Sequence, residues 1–170
     1  MDATQEQWRP VVGFEGRYEI SNHGRVRSLE RVVNGGPTPT STRRVPARIR
    51  AVAVDKSGHL HLILHKDAKR LQRTVHRLVA EAFIGPRPFP EAQIRHLNGI
   101  PTDNRVENLC YGTAQENAQD MLRHGTHSQA SKTHCKWGHE FNLINTYIRP
   151  DGNRDCRPCA QARVDRRKSA

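Results

Sequence analysis

Nowhere in the chain do about 18 consecutive apolar residues occur, the length a helix needs to cross a bilayer, so no membrane-spanning helix is expected. The opening MDATQEQWRP has no basic stretch followed by an apolar run and does not read as a secretory signal, so a cytoplasmic location is expected. Hydrophobic residues make up only 35% and aromatics 5%, which is lean for one compact core and suits small modules, at least one of them stapled. Acidic side chains are also scarce. Against 28 Lys plus Arg stand 17 Asp plus Glu, a formal charge of +11, so any large partner should be anionic, and nucleic acid leads. The shortage of aromatics argues against single-stranded RNA read by base stacking. Cysteine is sparse too, and Cys135, Cys156 and Cys159 all lie in the tail. In a reducing compartment such a cluster favours zinc over disulfides, while the isolated Cys110 is expected in the core.

Three segments follow from composition and pattern: residues 1–46, 47–127 and 128–170. In the first, the short apolar runs Val11-Val12, Tyr18–Ile20 and Val26 are punctuated by Gly13, Gly16 and Gly24, which predicts small strands and tight turns, the clearest at Asn22-His23-Gly24. Arg17, Arg25 and Arg27 crowd around that turn, with Ser21 and Asn22 within reach of phosphate oxygens. The stretch NGGPTPTSTRRVP that follows reads as a flexible linker.

The second segment opens with a hairpin turning at Lys56-Ser57-Gly58, with Leu60, Leu62 and Leu64 on one face and His59, His61 and His65 on the other as a DNA-facing strip. Thr74 then caps a helix with Leu78, Val79, Ala82 and Phe83 as its apolar stripe, ending before Gly85-Pro86. His76 in its first turn reads as a packing or phosphate-contacting residue. Gln93–Leu97 is predicted as a strand, Pro101–Asn108 as a polar loop pinned by Val106 and Leu109, and Leu109–Tyr111 as a second strand. Thr113-Ala114-Gln115-Glu116 is a capping box, so a helix should run from Ala114 to His124 and stop at Gly125.

His96, Asn108 and Asn117, set in VHRLVAEAF, RHLNG, NRVENL and GTAQEN, resemble the HNH nucleases of the homing-endonuclease type, over Val75 to about Asp120. The resemblance implies an α+β fold with a small ββα-metal core, which grips one divalent cation between its first strand and its helix. It implies that His96 is the general base, that Asn108 fixes the loop geometry holding it, and that Asn117 is a metal ligand. The residue types suit hydrolysis of a phosphodiester in double-stranded DNA. An imidazole of pKa about 6.5 takes a proton from water near neutrality, and Mg2+ or a similar ion on oxygen ligands stabilises the leaving 3′ oxygen. Two positions depart from the family. A metal-binding Asp often precedes the base, where this chain has Arg95, which suits a clamp on the scissile phosphate instead. The Asp expected two residues after the base is Asn98. The remaining metal ligand is left open among Asp120, Asp103, Asn98 and a histidine.

More distantly, W-x-x-V-x-G-F-E-G-x-Y-E-I-S-N-x-G-R-V-R-S resembles the small module that precedes HNH domains in such enzymes, which implies DNA contacts by Tyr18, Ser21, Asn22, Arg25 and Arg27. In the tail, Cys135-Lys136-Trp137-Gly138-His139 and Cys156-Arg157-Pro158-Cys159 present four ligands for a structural zinc across a hairpin-like TYIRPDGNRD, with His134 as an alternative fourth. Metal binding would supply most of the folding free energy of so coreless a segment. A basic helix after Cys159, with Arg163, Arg166, Arg167 and Lys168, continues the DNA-facing surface. The order of HNH and zinc motifs is similar to that of free-standing bacteriophage endonucleases, for which the location would be the host cytoplasm. The expected activity is thus a metal-dependent DNA endonuclease. One site per chain implies nicking by a monomer, and a dimer would cut both strands. The alternative is a DNA-binding protein with a degenerate HNH fold.

Overall fold

The computed structural model describes residues 5–168 apart from Pro37 and Pro39, two positions of the expected linker. The chain forms two compact units, one ending at His124 and the other starting at Gly125. In chain order the first unit opens with β1 (Trp8–Pro10), β2 (Tyr18–Ser21), β3 (Val26–Ser28), β4 (Arg31–Asn34), β5 (Thr42–Val45) and β6 (Arg48–Ile49). Antiparallel pairing gives a sheet of order β1-β2-β3-β6, with β4 and β5 as a separate hairpin. The sequence read this hairpin as flexible linker. Gly35 and Gly36 follow β4, whereas Val32, Val33, Thr42 and Val45 are β-formers that pair in register.

Next come β7 (Ala53–Val54), β8 (Leu60–Lys66) and β9 (Lys69–Thr74), ordered β7-β8-β9. The period of two buries Leu62 and Leu64 and leaves His65 exposed. Strand β9 was not expected, because KRLQRT shows no alternation and the turn before it lacks the usual Asn-Gly. Instead Asp67 and Ala68 themselves adopt φ of 50 and 59.

Helix α1 (Val75–Val79) passes directly into a π-helical turn over Ala80–Ile84, and Gly85 ends it. Buried Val75, Leu78, Val79 and Ala80 supply its inner face. The Thr74 side chain makes no cap; its hydroxyl lies 3.3 Å from His76 Nε2. Val75, Leu78 and Val79 join Val11, Phe14, Tyr18, Ile20, Val26, Leu62, Leu64 and Leu109 in one core. The first 46 residues and those after them therefore share apolar packing.

Strands β10 (Gln93–His96) and β11 (Leu109–Gly112) pair antiparallel, His96 opposite Leu109 and Gln93 opposite Gly112. Helix α2 (Ala114–Arg123) starts on the expected capping box: Thr113 Oγ1 accepts from Glu116 N, and Glu116 Oε2 accepts from Thr113 N. Gly125, at φ +67, follows its C-cap. Cys110 is half-buried rather than a full core residue.

The second unit holds β12 (Thr146–Ile148), antiparallel to β13 (Arg154–Cys156), followed by α3 (Arg157–Lys168). Helix α3 starts two residues before Cys159 rather than after it. Cys156 alone is buried among this unit's described apolar residues. Among the described residues no helix is long and apolar enough to cross a membrane. The molecule is α+β, as expected.

Candidate active site

Strand alternation sends neighbouring residues of β10 to opposite faces, and each face meets a different set of partners. Gln93 and Arg95 face α2. Asn117 Nδ2 donates to Gln93 Oε1 at 2.9 Å, Arg95 Nε donates to Asp120 Oδ2 at 2.6 Å, and Arg95 Nη1 lies 3.4 Å from Glu116 Oε1. Arg123 pairs with the other Asp120 oxygen at 2.6 Å. The Asp120 side chain is 5% exposed and that of Arg95 14%, so this ion pair is largely withdrawn from solvent. Hydrogen bonding to Asp120 raises the Arg95 guanidinium above its ordinary value and holds the Asp120 carboxyl below its own. Arg95, expected to clamp a phosphate, instead ties strand to helix, because α2 presents two carboxylates to its face of β10.

His96 points the other way. Its Nε2 lies 3.2 Å from Asn104 Oδ1, and its ring centroid is 5.6 Å from that of His59 and 5.4 Å from that of His76, the latter two rings being 4.8 Å apart. Burial lowers the His96 pKa; the Asn104 hydrogen bond opposes that shift and His59 reinforces it. The His76 imidazole is lowered to about 3, again first by burial and then by the neighbouring His59 and His96. Both rings are therefore neutral at physiological pH, the state in which imidazole accepts a proton. His59, expected on the same strip as His61 and His65, precedes β8 and turns into this cluster instead.

The loop after β10 is closed by Asn108, buried at 6%. Its Oδ1 accepts from Asn98 N at 2.9 Å, and its Nδ2 donates to Asn98 Oδ1 at 2.9 Å and to Asp103 O at 2.8 Å. Asp103 is further held by Asn98 and Arg105, whose side-chain hydrogen bond is the leading cause that brings its carboxyl down to about 2. An open cleft of about 530 Å³ lies beside these elements, lined by His59, His76, Arg77, Arg87, Gln93 and Asn117 among others. It gathers three sequence-predicted residues, His59, His76 and Asn117, with Arg77 and Arg87, which sequence reasoning missed. The Arg77 Nε and His76 Nδ1 atoms are buried without a hydrogen-bond partner among the described residues. Asn104, 3% exposed, was missed as well, since no periodic pattern marks a loop residue.

As a cation site the donor set is thin in charge. Glu116 and Asp120 are engaged by Arg95, and Asp103 by Arg105, which leaves the cleft with the Asn117 and Gln93 carboxamides and the exposed Glu91 carboxylate. Oxygen donors of this kind suit a hard divalent cation more than a soft one.

In the N-terminal sheet, three residues expected to touch DNA are inside the protein. Tyr18 is 3% exposed and its hydroxyl accepts from His65 N; Ser21 is 0% exposed and its hydroxyl accepts from Arg25 N; Asn22 is 6% exposed and its side-chain oxygen accepts from Gln7 N. Ser21 closes the turn on itself, and Tyr18 and Asn22 serve the backbone of distant segments, because N–H groups withdrawn from water need acceptors. Arg25 and Arg27 are outside, stacked against Trp8 and paired with Glu6 and Glu19.

The second unit brings Cys135, His139, Cys156 and Cys159 together, their ligand atoms all within 4.8 Å. Cys135 Sγ to Cys159 Sγ is 3.7 Å, and His139 Nδ1 lies 3.4, 3.6 and 3.3 Å from the sulfurs of Cys135, Cys156 and Cys159. Tetrahedral zinc, with Zn–S about 2.3 Å and Zn–N about 2.05 Å, demands S···S edges of about 3.75 Å and S···N edges of about 3.6 Å. Those four separations, 3.3 to 3.7 Å, lie close to these values. His134 lies in a bridge to Glu140, its Nδ1 against Thr133 Oγ1, outside the cluster. Arg163, Arg166 and Arg167 are exposed on α3.

Residues 73–119 match the family described as HNH endonuclease, and residues 6–65 match the NUMOD4 motif. The chain is 32% identical over 121 residues to an uncharacterized HNH endonuclease of Acanthamoeba polyphaga mimivirus, a match covering 69% of this chain and 26% of that protein. It is 28% identical over 121 residues to the DNA endonuclease I-HmuI of Bacillus phage SP01, covering 71% of this chain and 60% of that one. The chain thus spans less than two thirds of either curated relative. A solved structure of DNA binding and cleavage by the HNH homing endonuclease I-HmuI aligns with a TM-score of 0.55 at 24% identity, covering 94% of this chain and 83% of that chain. Two segments of the chain thus match the HNH endonuclease and NUMOD4 models, and the fold is that of I-HmuI.

Proposed function

We propose that this chain, an HNH endonuclease domain following a NUMOD4 motif, is a divalent-metal-dependent DNA endonuclease that hydrolyses one phosphodiester with His96 as the general base. One observation carries the reading: His96, neutral and half-buried at the end of β10, stands beside a cleft lined by Asn117, Arg77 and Arg87, which suits a phosphate group. His96 takes the proton of the attacking water. Asn108 keeps the Asn98–Asp103 loop closed so that His96 stays oriented. Arg77 and Arg87 hold the phosphate in the cleft, and Asn117 contributes an amide oxygen to the cation. Mg2+ or another divalent ion, when bound, acts as a Lewis acid toward the leaving 3′ oxygen.

In this reading residues 1–46 engage double-stranded DNA through Arg25 and Arg27, residues 47–127 cut it, and residues 128–170 hold it through Arg163, Arg166 and Arg167. Cys135, His139, Cys156 and Cys159 hold a structural zinc, supported by the gathering of their four ligand atoms within 4.8 Å of one another. With one such site per chain, a monomer nicks a single strand. A plasmid-nicking assay with Mg2+ compares wild type with His96→Ala; open-circular product from wild type alone supports the proposal, and equal nicking by both sinks it. The second reading is a DNA-binding protein that does not cut, favoured by the Arg95–Asp120 ion pair where the family often has a metal-binding acid. It predicts salt-sensitive gel shifts with no cleavage under any divalent ion.

A further inference from the structure

Asn104 sits where two parts of the fold meet. Its side chain is 3% exposed and carries two hydrogen bonds: Nδ2 donates to Thr102 O at 3.1 Å, and Oδ1 lies 3.2 Å from His96 Nε2. The first bond settles the amide's orientation, since a reversed amide would set its oxygen against the Thr102 carbonyl. An acceptor oxygen facing Nε2 requires that Nε2 carry the hydrogen, because two facing lone pairs repel. His96 is then the Nε2–H tautomer, with its lone pair on Nδ1.

On its other side Asn104 is met by the N-terminal turn. Val106 N donates to Asn22 O at 2.8 Å, which ties the loop to that turn across the core. Gly24 packs so closely that a Cβ there would lie 3.0 Å from Asn104 Cβ and 3.2 Å from Asn104 O. The Asn22 side chain is itself fixed by the backbone of Gln7 and Gln5.

From this geometry we infer that Asn104 is a positioning residue that fixes His96 in the Nε2–H tautomer and leaves Nδ1 as the proton acceptor, and that the Asn22–Gly24 turn of the NUMOD4 segment seats Asn104. The N-terminal segment is then a working part of the hydrolytic site and not only a DNA grip. The inference rests on His96 being the base, as proposed above, yet the tautomer is measurable without any cleavage.

The test uses the full-length, metal-loaded chain labelled with ¹⁵N-histidine, the His96 signals being assigned by their loss in His96→Gln. Long-range ¹H–¹⁵N correlation should show the Nε2–H tautomer in wild type and in Asn104→Asp, which keeps an acceptor oxygen, and a mixed or Nδ1–H population in Asn104→Ala. Turnover at saturating duplex should fall about 10- to 100-fold in Asn104→Ala, the usual cost of removing a residue that orients a functional histidine, with KM for DNA nearly unchanged. Gly24→Ala introduces strain at φ +79 as well as the clash, so Gly13→Ala, also at φ +79 but with nothing within 4 Å of its Cβ, is the matched control. Gly24→Ala should disturb the His96 tautomer and lower kcat, and Gly13→Ala should do neither. An Nδ1–H tautomer in wild type, or an Asn104→Ala variant with wild-type kcat while His96→Ala is inactive, overturns the role of Asn104. Indistinguishable Gly24→Ala and Gly13→Ala variants overturn the role of the turn. Cleavage surviving in His96→Ala would instead remove the general-base reading, leaving the tautomer measurement to stand by itself.

Discussion

The two units of this chain solve the same problem, ordering a lean sequence, by different means. The first packs Val11, Ile20, Val26, Leu64, Val75, Leu78 and Val79 at 0 to 2% exposure around a single core. The second buries one cysteine among its described apolar residues, leaves Leu143 98% and Ile144 82% exposed, and gathers four ligand side chains instead. Apolar burial stabilises by contact area and needs many residues, whereas one ion on four ligands contributes about 10–16 kcal/mol of apparent binding energy to a segment of any size. The lesson is that composition alone understates how such a chain can be ordered.

The largest expected effect separates the units outright. Chelation, or Cys156→Ser, should abolish the protease resistance of residues 125–168, while the thermal transition of the first unit stays in place; metal analysis of protein purified without chelator should return one zinc per chain. A tail that resists proteolysis equally without metal would erase the contrast. Conversely, Leu64→Ala, at 0% exposure, should cost about 2–5 kcal/mol in denaturant unfolding of the first unit and leave zinc content unchanged. Next in size is Arg95→Ala, which leaves the Asp120 carboxylate with Arg123 as its one remaining ion-pair partner among the described residues; a loss of stability smaller than that of Leu64→Ala is expected by denaturant titration, and Arg95→Ala with Asp120→Ala together should recover part of it. An Arg95→Ala protein of wild-type stability and reduced DNA binding would return Arg95 to the phosphate.

The smallest effect is in pH. His76 in the folded state has its pKa lowered to about 3, so the unfolded chain binds the proton more readily. The stability this group confers is complete above the unfolded value, about 6.5, and is lost as pH falls from there toward 3. Its slope approaches about 1.4 kcal/mol per pH unit at most. Replacing His76 with Gln should flatten the stability curve between pH 6 and about 4 relative to wild type, as read by urea midpoints; parallel curves would show that the ring is solvated.

What was legible in the sequence was local or motif-borne. The capping box at Thr113 and Glu116 needs only four consecutive residues, and Cys135, His139, Cys156 and Cys159 announce themselves by spacing. The alternation of Leu60, Leu62 and Leu64 located β8 and its inward face. What escaped depends on partners far along the chain. Tyr18, Ser21 and Asn22 looked like phosphate contacts beside arginines, but their oxygens accept from the backbone N–H groups of His65, Arg25 and Gln7. Arg95 looked free because its carboxylate, on Asp120, arrives only with the helix. The β4–β5 hairpin hid behind a Gly- and Pro-rich stretch of sequence, and β9 behind a turn built on Asp67 and Ala68. Asn104 touches both His96 and Gly24, a meeting of distant segments that no periodicity records.

The central claim is that His96 performs general-base chemistry in a chain whose own Arg95 has displaced an acidic metal ligand. Single-turnover cleavage of end-labelled duplex DNA in Mn2+ or Mg2+, run in parallel with gel-shift affinity, tests it most directly. The account predicts that His96→Ala slows cleavage by about 10²- to 10⁴-fold while its affinity for the same duplex is unchanged. A wild-type protein that shifts the duplex yet cleaves no faster than His96→Ala would contradict it.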